Sequence, residues 1–554
     1  MSVQGVLNST TFHPPPFDST LSIPELYEYH ARNSSDHAVF VYSDTDEGTT
    51  HWITYLEAWE RIRQAAGFVQ RHLTSQKDGV VAVMTFSDTL SYIYLVLGIM
   101  SLGLTPFPMS PRITPEATVH LLSQTGARAI FTNTEGAIRD LVDEVAGLLQ
   151  HEGMGLRVLP MLNYEQLVKM EVIAALEIPK KMGEADVVLI HHSSGTTAFP
   201  KPIRMTNKGL INLTKVPRYG EMDLTNKRIA GHTNSLFHVM GLATYIWPLW
   251  SGAIFAIYKP KPIIPTPANF LDSWTADKCD IVYCVPAFVE AWAQDTDNVP
   301  KLAALDSIVF AGASLNKNIG DMLEEAGAVL HPFWGSTEIG GGTMFIARPP
   351  PKGQWEYFKF SNHATFAMKP HPHLENVFEA IMIPTEIYFP HVFNTTHEGK
   401  PAYNLGDLLE RHLTDPTRWK VYGRTDDQIM LSTAENVNPL PLEAVISQNK
   451  NITAAIVFGI HRLHPGLLVQ PAIDVESLEE FKDLIMPTVE KANSVAPAYS
   501  RITRNMIITT SPSKPLEFTP KGTPRRQVAI RLYAAEIDAL YEGEEMDREF
   551  PDRA

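Results

Sequence analysis

Short apolar runs alternate with stretches of helical periodicity along most of this chain, and that alternation limits the architectures open to it. "GVVAVMTF" (79–86), "ARAIFTN" (127–133) and "DVVLIHH" (186–192) read as buried strands that end in small or polar residues. "AIFAIY" (253–258), "CDIVYCVP" (279–286) and "LDSIVFAGA" (305–313) continue the rhythm. Between them, stretches such as "WITYLEAWERIRQAAGFVQRHL" (52–73) place apolar residues at helical spacing. Continuously apolar strands separated by helices predict layered α/β architecture with largely parallel sheets. At 554 residues the chain exceeds one ordinary core, so at least two domains are expected.

The C-terminal part has another texture. "AAIVFGI" (454–460), a helical "SLEEFKDLIMPTVEKAN" (477–493), the strand "RNMIITT" (504–510) and a basic loop "TPKGTPRR" (519–526) suffice for a small α+β domain. The expected division is an N-terminal arm at 1–21, a large domain at 22–425, a small mobile domain at 426–535 and an acidic tail at 536–554. The tail, "RLYAAEIDALYEGEEMDREFPDRA" from 531, starts as an amphipathic helix and is expected to dissolve into mobile acidic residues.

Charge and cysteine content exclude several function classes. With 46 basic and 62 acidic residues the net charge is -16, which disfavours nucleic acid or an anionic membrane as partner. The longest apolar run, Tyr92 to Met109, is interrupted by Ser101, Gly103 and two prolines, and reads as a buried helix followed by a strand. The N-terminus lacks the basic and apolar regions of a signal peptide. The two cysteines, Cys279 and Cys284, stand without a second ligand pair and are expected to be buried, reduced thiols of a cytoplasmic, monomeric protein.

The densest chemical signal is "IHHSSGTTAFPKPI" (190–203), where an apolar strand meets a loop of hydroxyls and glycine that ends in Lys201; "NKGLINLTKV" (207–216) then reads as a helix. Hydroxyls and open backbone N–H groups can wrap phosphate oxygens, and a lysine adds a point charge for the same anion. The spacing is not that of a P-loop. By itself the stretch is equally open to the reading of a polar surface loop.

Ser193 to Pro202 resembles the phosphate loop of the adenylate-forming enzymes, the family of acyl-CoA ligases, luciferases and peptide-synthetase adenylation domains, with Ala198 and Pro202 where glycine is usual. Further resemblances follow in the family's order. "ITYLEAW" (53–59) matches near the start. "SLFHVMGL" (235–242) resembles the element whose His238 lines the acyl pocket. "VFAGASL" (309–315) resembles the strand end, with Gly312 and Ala313, that lies against adenine. "WGSTE" (334–338) resembles the element in which an aromatic ring, here Trp334, stacks on adenine beside Gly335, Thr337 contacts phosphate and Glu338 holds magnesium. "YNLGD" (403–407) resembles the segment whose Asp407 accepts the ribose hydroxyls, here with Leu405 in place of threonine. "YGRTDDQIML" (422–431) resembles the hinge, with Tyr422 and Arg424 toward the ribose and Asp426 as pivot. "TPKGTPRR" resembles the loop that carries the catalytic lysine, Lys521.

The resemblance implies this family's α/β fold, with a large domain and a small mobile one. It implies adenylation of a carboxylic acid by ATP with Mg2+, through Ser193, Ser194, Gly195, Thr196, Thr197 and Lys201 on the phosphates. Lys521, Thr337, Glu338 and His238 would act at the reacting groups. The acceptor would be a phosphopantetheine thiol, on a carrier domain or coenzyme A. Amino-acid-activating members carry an aspartate where this chain has His238, so a non-amino acid, aromatic or short acyl, is expected in a pocket of His238, Met240, Phe333 and Ile339.

"HSSGTTAFPKPI", "YNLGDLLERH" and "ENVNPLPLE" look like the adenylation domains of fungal carboxylic acid reductases, with Ala434 in place of glycine. Carrier and reductase domains in a longer parent chain are then expected partners. A free-standing acyl-CoA ligase and a non-catalytic nucleotide-binding module remain alternatives.

Overall fold

A computed structural model describes residues 9–73, 79–172, 182–193, 200–372, 374–425, 427–432, 436–494, 496–519 and 522–549. The chain forms two compact units. The first comprises 1–367, 381–404 and 412–420; the second comprises 368–380, 405–411 and 421–554. The second unit thus takes 368–380, 405–411 and 421–425 from the range 22–425.

The first unit is layered α/β. Its largest sheet has seven strands, in the spatial order Leu330–Phe333, Ser307–Ala311, Ile281–Cys284, Arg228–Ala230, Ile254–Ala256, Ala38–Asp44 and Thr49–Thr54. All neighbours pair parallel except the last two. A second, four-stranded sheet is wholly parallel, in the order Thr105–Pro108, Val80–Val83, Ala129–Thr132, Arg157–Pro160. The strands are apolar because both faces are covered: Ile308, Phe310, Val282 and Cys284 pack with Trp274 and Trp292 on one face, and Val309 and Tyr283 are buried on the other. Cys279 and Cys284 are both free and buried, as expected.

Local signals set many helix starts. Thr54, Asp88, Thr114 and Thr206 each accept a backbone N–H three residues on, satisfying a donor that the helix itself leaves open. The N-terminal arm is docked rather than loose. Phe12 is buried and stacks on His30 at 5.0 Å, and the Lys215 ammonium donates to the Phe17 carbonyl at 2.6 Å while lying over the Trp250 ring.

One local expectation is corrected. Strand Val187–His192 does not run through a loop directly into a helix. It pairs antiparallel with a second strand, Pro202–Thr206, and only then does helix Asn207–Thr214 begin. "PIRMT" escapes a reading by apolar runs because it opens on proline and exposes Arg204, while Ile203 and Met205 are buried.

The second unit contains a sheet of Ile452–Phe458, Gly466–Pro471 and Ile507–Thr509. Both faces are buried. Ala455 and Val457 pack with Ile485 and Val489 of helix Leu478–Ser494; Ile456 and Phe458 pack with Tyr533, Ile537 and Tyr541. The amphipathic start of the tail forms helix Ala534–Glu549. Ile537 and Tyr541 stand four apart on one face, and Ala539 and Leu540 between them favour the helix. Among the described residues, no helix is long and apolar enough to cross a membrane.

Gly98 lies where helices Tyr55–His72 and Thr89–Ser101 meet. A Cβ there would stand 2.8 Å from the Ala66 nitrogen and 2.9 Å from the Ala65 carbonyl carbon, both backbone atoms. Gly98→Ala gains about 1 kcal/mol of helix propensity but forces the helices apart at about 1–3 kcal/mol. Thermal unfolding is expected to show net destabilisation.

Candidate functional site

The hairpin 187–206 supplies the first part of the site. At its open end Ser193 and Lys201 face each other: the Ser193 N–H donates to the Lys201 carbonyl at 3.0 Å, and the Lys201 N–H to the Ser193 hydroxyl at 3.1 Å. Lys201 is exposed. Ser194, Gly195, Thr196 and Thr197 lie outside the described residues, as do Asp426 and Lys521.

Two histidines pin the end of the first strand. The Ser110 N–H donates to His192 Nε2 at 3.0 Å, so that nitrogen carries no proton; Nδ1–H donates to the Ser193 carbonyl at 3.0 Å. Burial holds this imidazole below its usual pKa, against the opposing pull of the bond to Ser193. The neighbouring His191 donates Nδ1–H to the Phe237 carbonyl at 3.1 Å, and burial pushes its pKa down to about 4. Both rings are therefore neutral, each in the Nδ1–H form.

Phe237 belongs to the second part. Ser235 to Met240 are half-buried, and His238 caps helix Val239–Ile246 through its backbone. The turn into that helix is so tight that a Cβ on Gly241 would stand 2.2 Å from the Ser235 carbonyl oxygen. No carboxylate occurs between 235 and 242.

Parallel pairing sets the third part. Ala311 and Phe333 are register partners at the C-terminal ends of adjacent strands. Gly312, with φ +86°, and Ala313 are exposed just beyond the first; Trp334 follows the second. In open α/β sheets this edge is where ligands bind. The Trp334 ring is buried, stacked on Phe358 at 5.8 Å and tilted against Phe366 at 5.3 Å. Phe333 is packed among Trp247, Tyr283 and Phe345, and Ile339 is buried.

After Trp334 the chain turns back on itself. Gly335 pairs with Gly341 and Ser336 with Gly340, leaving Thr337 and Glu338 half-buried on the turn. A Cβ on Gly335 would stand 2.0 Å from the Gly340 carbonyl oxygen, so the closeness of the two strands requires glycine. A clamp holds the turn from behind. The His391 N–H donates to the Glu338 carbonyl at 2.7 Å, and the buried Tyr388 hydroxyl to the Ile339 carbonyl at 2.7 Å. Tyr388, His391, His192 and Ser110 were not among the sequence candidates. "PTEIYFPHVF" (384–393) has no spacing that announces a role, and only tertiary contact reveals one.

The second unit holds Asp407, Tyr422 and Arg424. Arg424 Nη1 donates to Asp407 Oδ1 at 2.8 Å and to the Leu405 carbonyl at 3.3 Å. Burial raises the Tyr422 pKa, and its carbonyl accepts from the Asn438 amide at 2.7 Å.

A family model described as AMP-binding enzyme matches residues 27–361. The chain belongs to the AMP-binding enzyme family. A second model, AMP-binding enzyme C-terminal domain, matches residues 426–545. The chain is 36% identical to the adenylate-forming reductase Nps10 of Heterobasidion annosum, over 96% of this chain and 51% of that one. It is 26% identical to a carboxylic acid reductase of Neurospora crassa, over 89% and 48%. The chain thus spans about half the length of the curated relatives it matches.

Among solved structures, it superposes with a TM-score of 0.73 on the anthranilate CoA ligase AuaEII in complex with anthranoyl-AMP, at 16% identity, covering 94% of this chain and 99% of that one. For o-succinylbenzoate CoA synthetase MenE from Bacillus subtilis, in complex with ATP and magnesium, the TM-score is 0.67 at 14% identity, with 91% and 98% covered. The adenylate-former fold expected from the sequence is thereby shown.

Two predictions come from this geometry. Tyr388→Phe leaves the Ile339 carbonyl buried without its donor, at a cost of about 1–3 kcal/mol, read as a lower midpoint in thermal unfolding. Burial also lowers His30, His191, His331 and His363 to about 4 from an ordinary 6.5. The unfolded chain takes up those protons first, so their contribution is complete above pH 6.5 and is lost as pH falls through 4. A melting-temperature series from pH 7.5 to 4 should decline across that window.

Proposed function

We propose that this chain activates a non-amino carboxylic acid, aromatic or short acyl, as its acyl-adenylate. The acyl group then passes to the phosphopantetheine thiol of a carrier domain, for reduction to an aldehyde by a reductase domain in a longer parent chain. The observation that carries the adenylation reading is the clamped Glu338 turn at the same sheet edge as Gly312 and Ala313. The downstream steps rest on the names of the relatives that the chain matches over about half their length. Two free, buried cysteines suit work in the cytoplasm.

The reaction joins a carboxylate oxygen to the α-phosphorus of ATP as the bond to pyrophosphate breaks. Like charges repel on approach, so the protein must neutralise phosphate charge and hold the acid in line. Ser193 to Thr197 with Lys201 take the β- and γ-phosphates, and Thr337 a further phosphate oxygen. The Asp407–Arg424 pair and Tyr422 take the ribose, with Trp334, Gly312 and Ala313 beside adenine. Lys521 bridges acid and α-phosphate in the transition state, and Asp426 is the pivot on which the 426–535 domain turns between half-reactions.

Glu338 fits a magnesium role. Magnesium takes one or two carboxylates and completes its shell with phosphates and water, so a single half-buried carboxylate on a clamped turn suffices. Bound there, the ion would screen phosphate charge during attack.

The absence of a carboxylate from 235–242 supports a non-amino acid, since no anion there meets a substrate ammonium. His238 and Met240, half-buried at the helix start, would line the acid site with Phe333 and Ile339.

The deciding experiment is acid-dependent ATP–pyrophosphate exchange across a panel of aromatic, short aliphatic and amino acids. Exchange with aromatic or short acyl acids is the expected result, and none with any acid refutes the reading. Thioester formation with free coenzyme A instead of a carrier would identify a free-standing ligase. Lys521→Ala should lower exchange by at least two orders of magnitude, about 3–4 kcal/mol of barrier, while ATP affinity changes little; equal loss of both contradicts its role.

A further inference from the structure

Arg526 opens helix Arg526–Leu532 but does not face solvent. Its side chain is 10% exposed and uses three of its nitrogens. Nη2 donates to Glu443 Oε2 at 2.6 Å, Nη1 to the Val457 carbonyl at 2.7 Å, and Nε to Asp427 Oδ1 at 3.2 Å. Glu443 is itself 12% exposed, and its other oxygen accepts the Val457 N–H at 2.6 Å. One planar guanidinium therefore joins a helix, a strand and the segment that follows Arg424, a geometry an ammonium cannot reproduce.

The Glu443 and Val457 contacts suffice to anchor the helix in the core. The Asp427 contact does something else, because Asp427 lies one residue past the expected pivot. Thr425, just before, is held by its N–H on the Gly406 carbonyl at 2.8 Å. Upstream of Arg526 the chain closes on itself: the Arg525 N–H donates to the Glu517 carbonyl at 2.8 Å and the Thr519 N–H to the Thr523 carbonyl at 2.8 Å. Phe518 and Pro524 form an isolated bridge. The arms on either side of residues 520–521 are thus zipped together, and Arg526 is the knot at their base.

We propose that Arg526 is a positioning residue: through Asp427 it ties the paired arms 517–519 and 522–525 to the residue just after the expected pivot, so that the arms turn with that residue. The proposal rests on the reading of Lys521 as the adenylating lysine. Severing the yoke frees the paired arms that flank Lys521 while the helix stays anchored. Misplacement of this kind lowers turnover without weakening ground-state binding.

The test uses the full chain with Asp427→Ala, which cuts the yoke, and Asp427→Asn, whose amide oxygen can still accept from Nε. Deuterium uptake is followed by mass spectrometry over 516–527 and 424–432, beside pyrophosphate-exchange kinetics and melting temperature. Asp427→Ala is expected to raise uptake in both segments together and to cut kcat roughly ten- to a hundredfold, with the KM for ATP within about twofold. Asp427→Asn should restore most of both effects. Unchanged uptake over 516–527 overturns the yoke. Raised uptake with unchanged kcat overturns the positioning role, as does a matching rise in KM. If the alanine variant fails to fold, a wild-type uptake pattern and kcat in Asp427→Asn support the yoke, and a loosened loop there overturns it. A wild-type chain without exchange on any acid, whose uptake still responds to Asp427→Ala, refutes the adenylation reading and leaves the yoke standing.

Discussion

Parallel strand pairing is the constraint on which the first unit's site depends. When Ile281–Cys284, Ser307–Ala311 and Leu330–Phe333 run the same way, every strand delivers its successor residues to one edge. Residues distant in sequence, such as Gly312 and Trp334, then become neighbours without a dedicated contact. Covering both faces is the condition for such a sheet, which is why the strands are apolar and uninformative about chemistry, while the residues just past their ends carry it.

Much of this was legible in the sequence, and the failures have physical causes. The strands were visible because a doubly covered strand must be apolar throughout. The hairpin partner Pro202–Thr206 was not, since only alternate side chains are buried there and Arg204 breaks the run. The start of the C-terminal helix was legible because Tyr533, Ile537 and Tyr541 repeat at intervals of four, whereas the acidic residues after them carry no apolar period. Among site residues, Ser193, Thr337 and Glu338 stand in short linear motifs. Tyr388 reaches Ile339 across 49 residues and Arg526 reaches Glu443 across 83, so no local window contains either pair.

Neutral rings hold the end of strand Val187–His192. Desolvating a charged group at that buried strand end would be costly. The strand end instead uses imidazoles whose ring protons are committed to the carbonyls of Phe237 and Ser193. Each fixes direction as a charged bond would, yet adds no net charge at the strand end. The second unit does the reverse: a buried guanidinium is balanced by two carboxylates, and burial raises the stakes of breaking any one link.

The helix Ala534–Glu549 has a practical consequence for where this protein can be cut. Its sequence invites trimming as a charged appendage, but Ile537 and Tyr541 are the roof over one face of a three-stranded sheet. Cutting at 535 would leave Ile456, Phe458 and Leu468 under an incomplete cover and convert a closed layer into a sticky one. A boundary chosen by composition would thus yield an insoluble fragment, whereas one placed after the last buried turn keeps the layer closed.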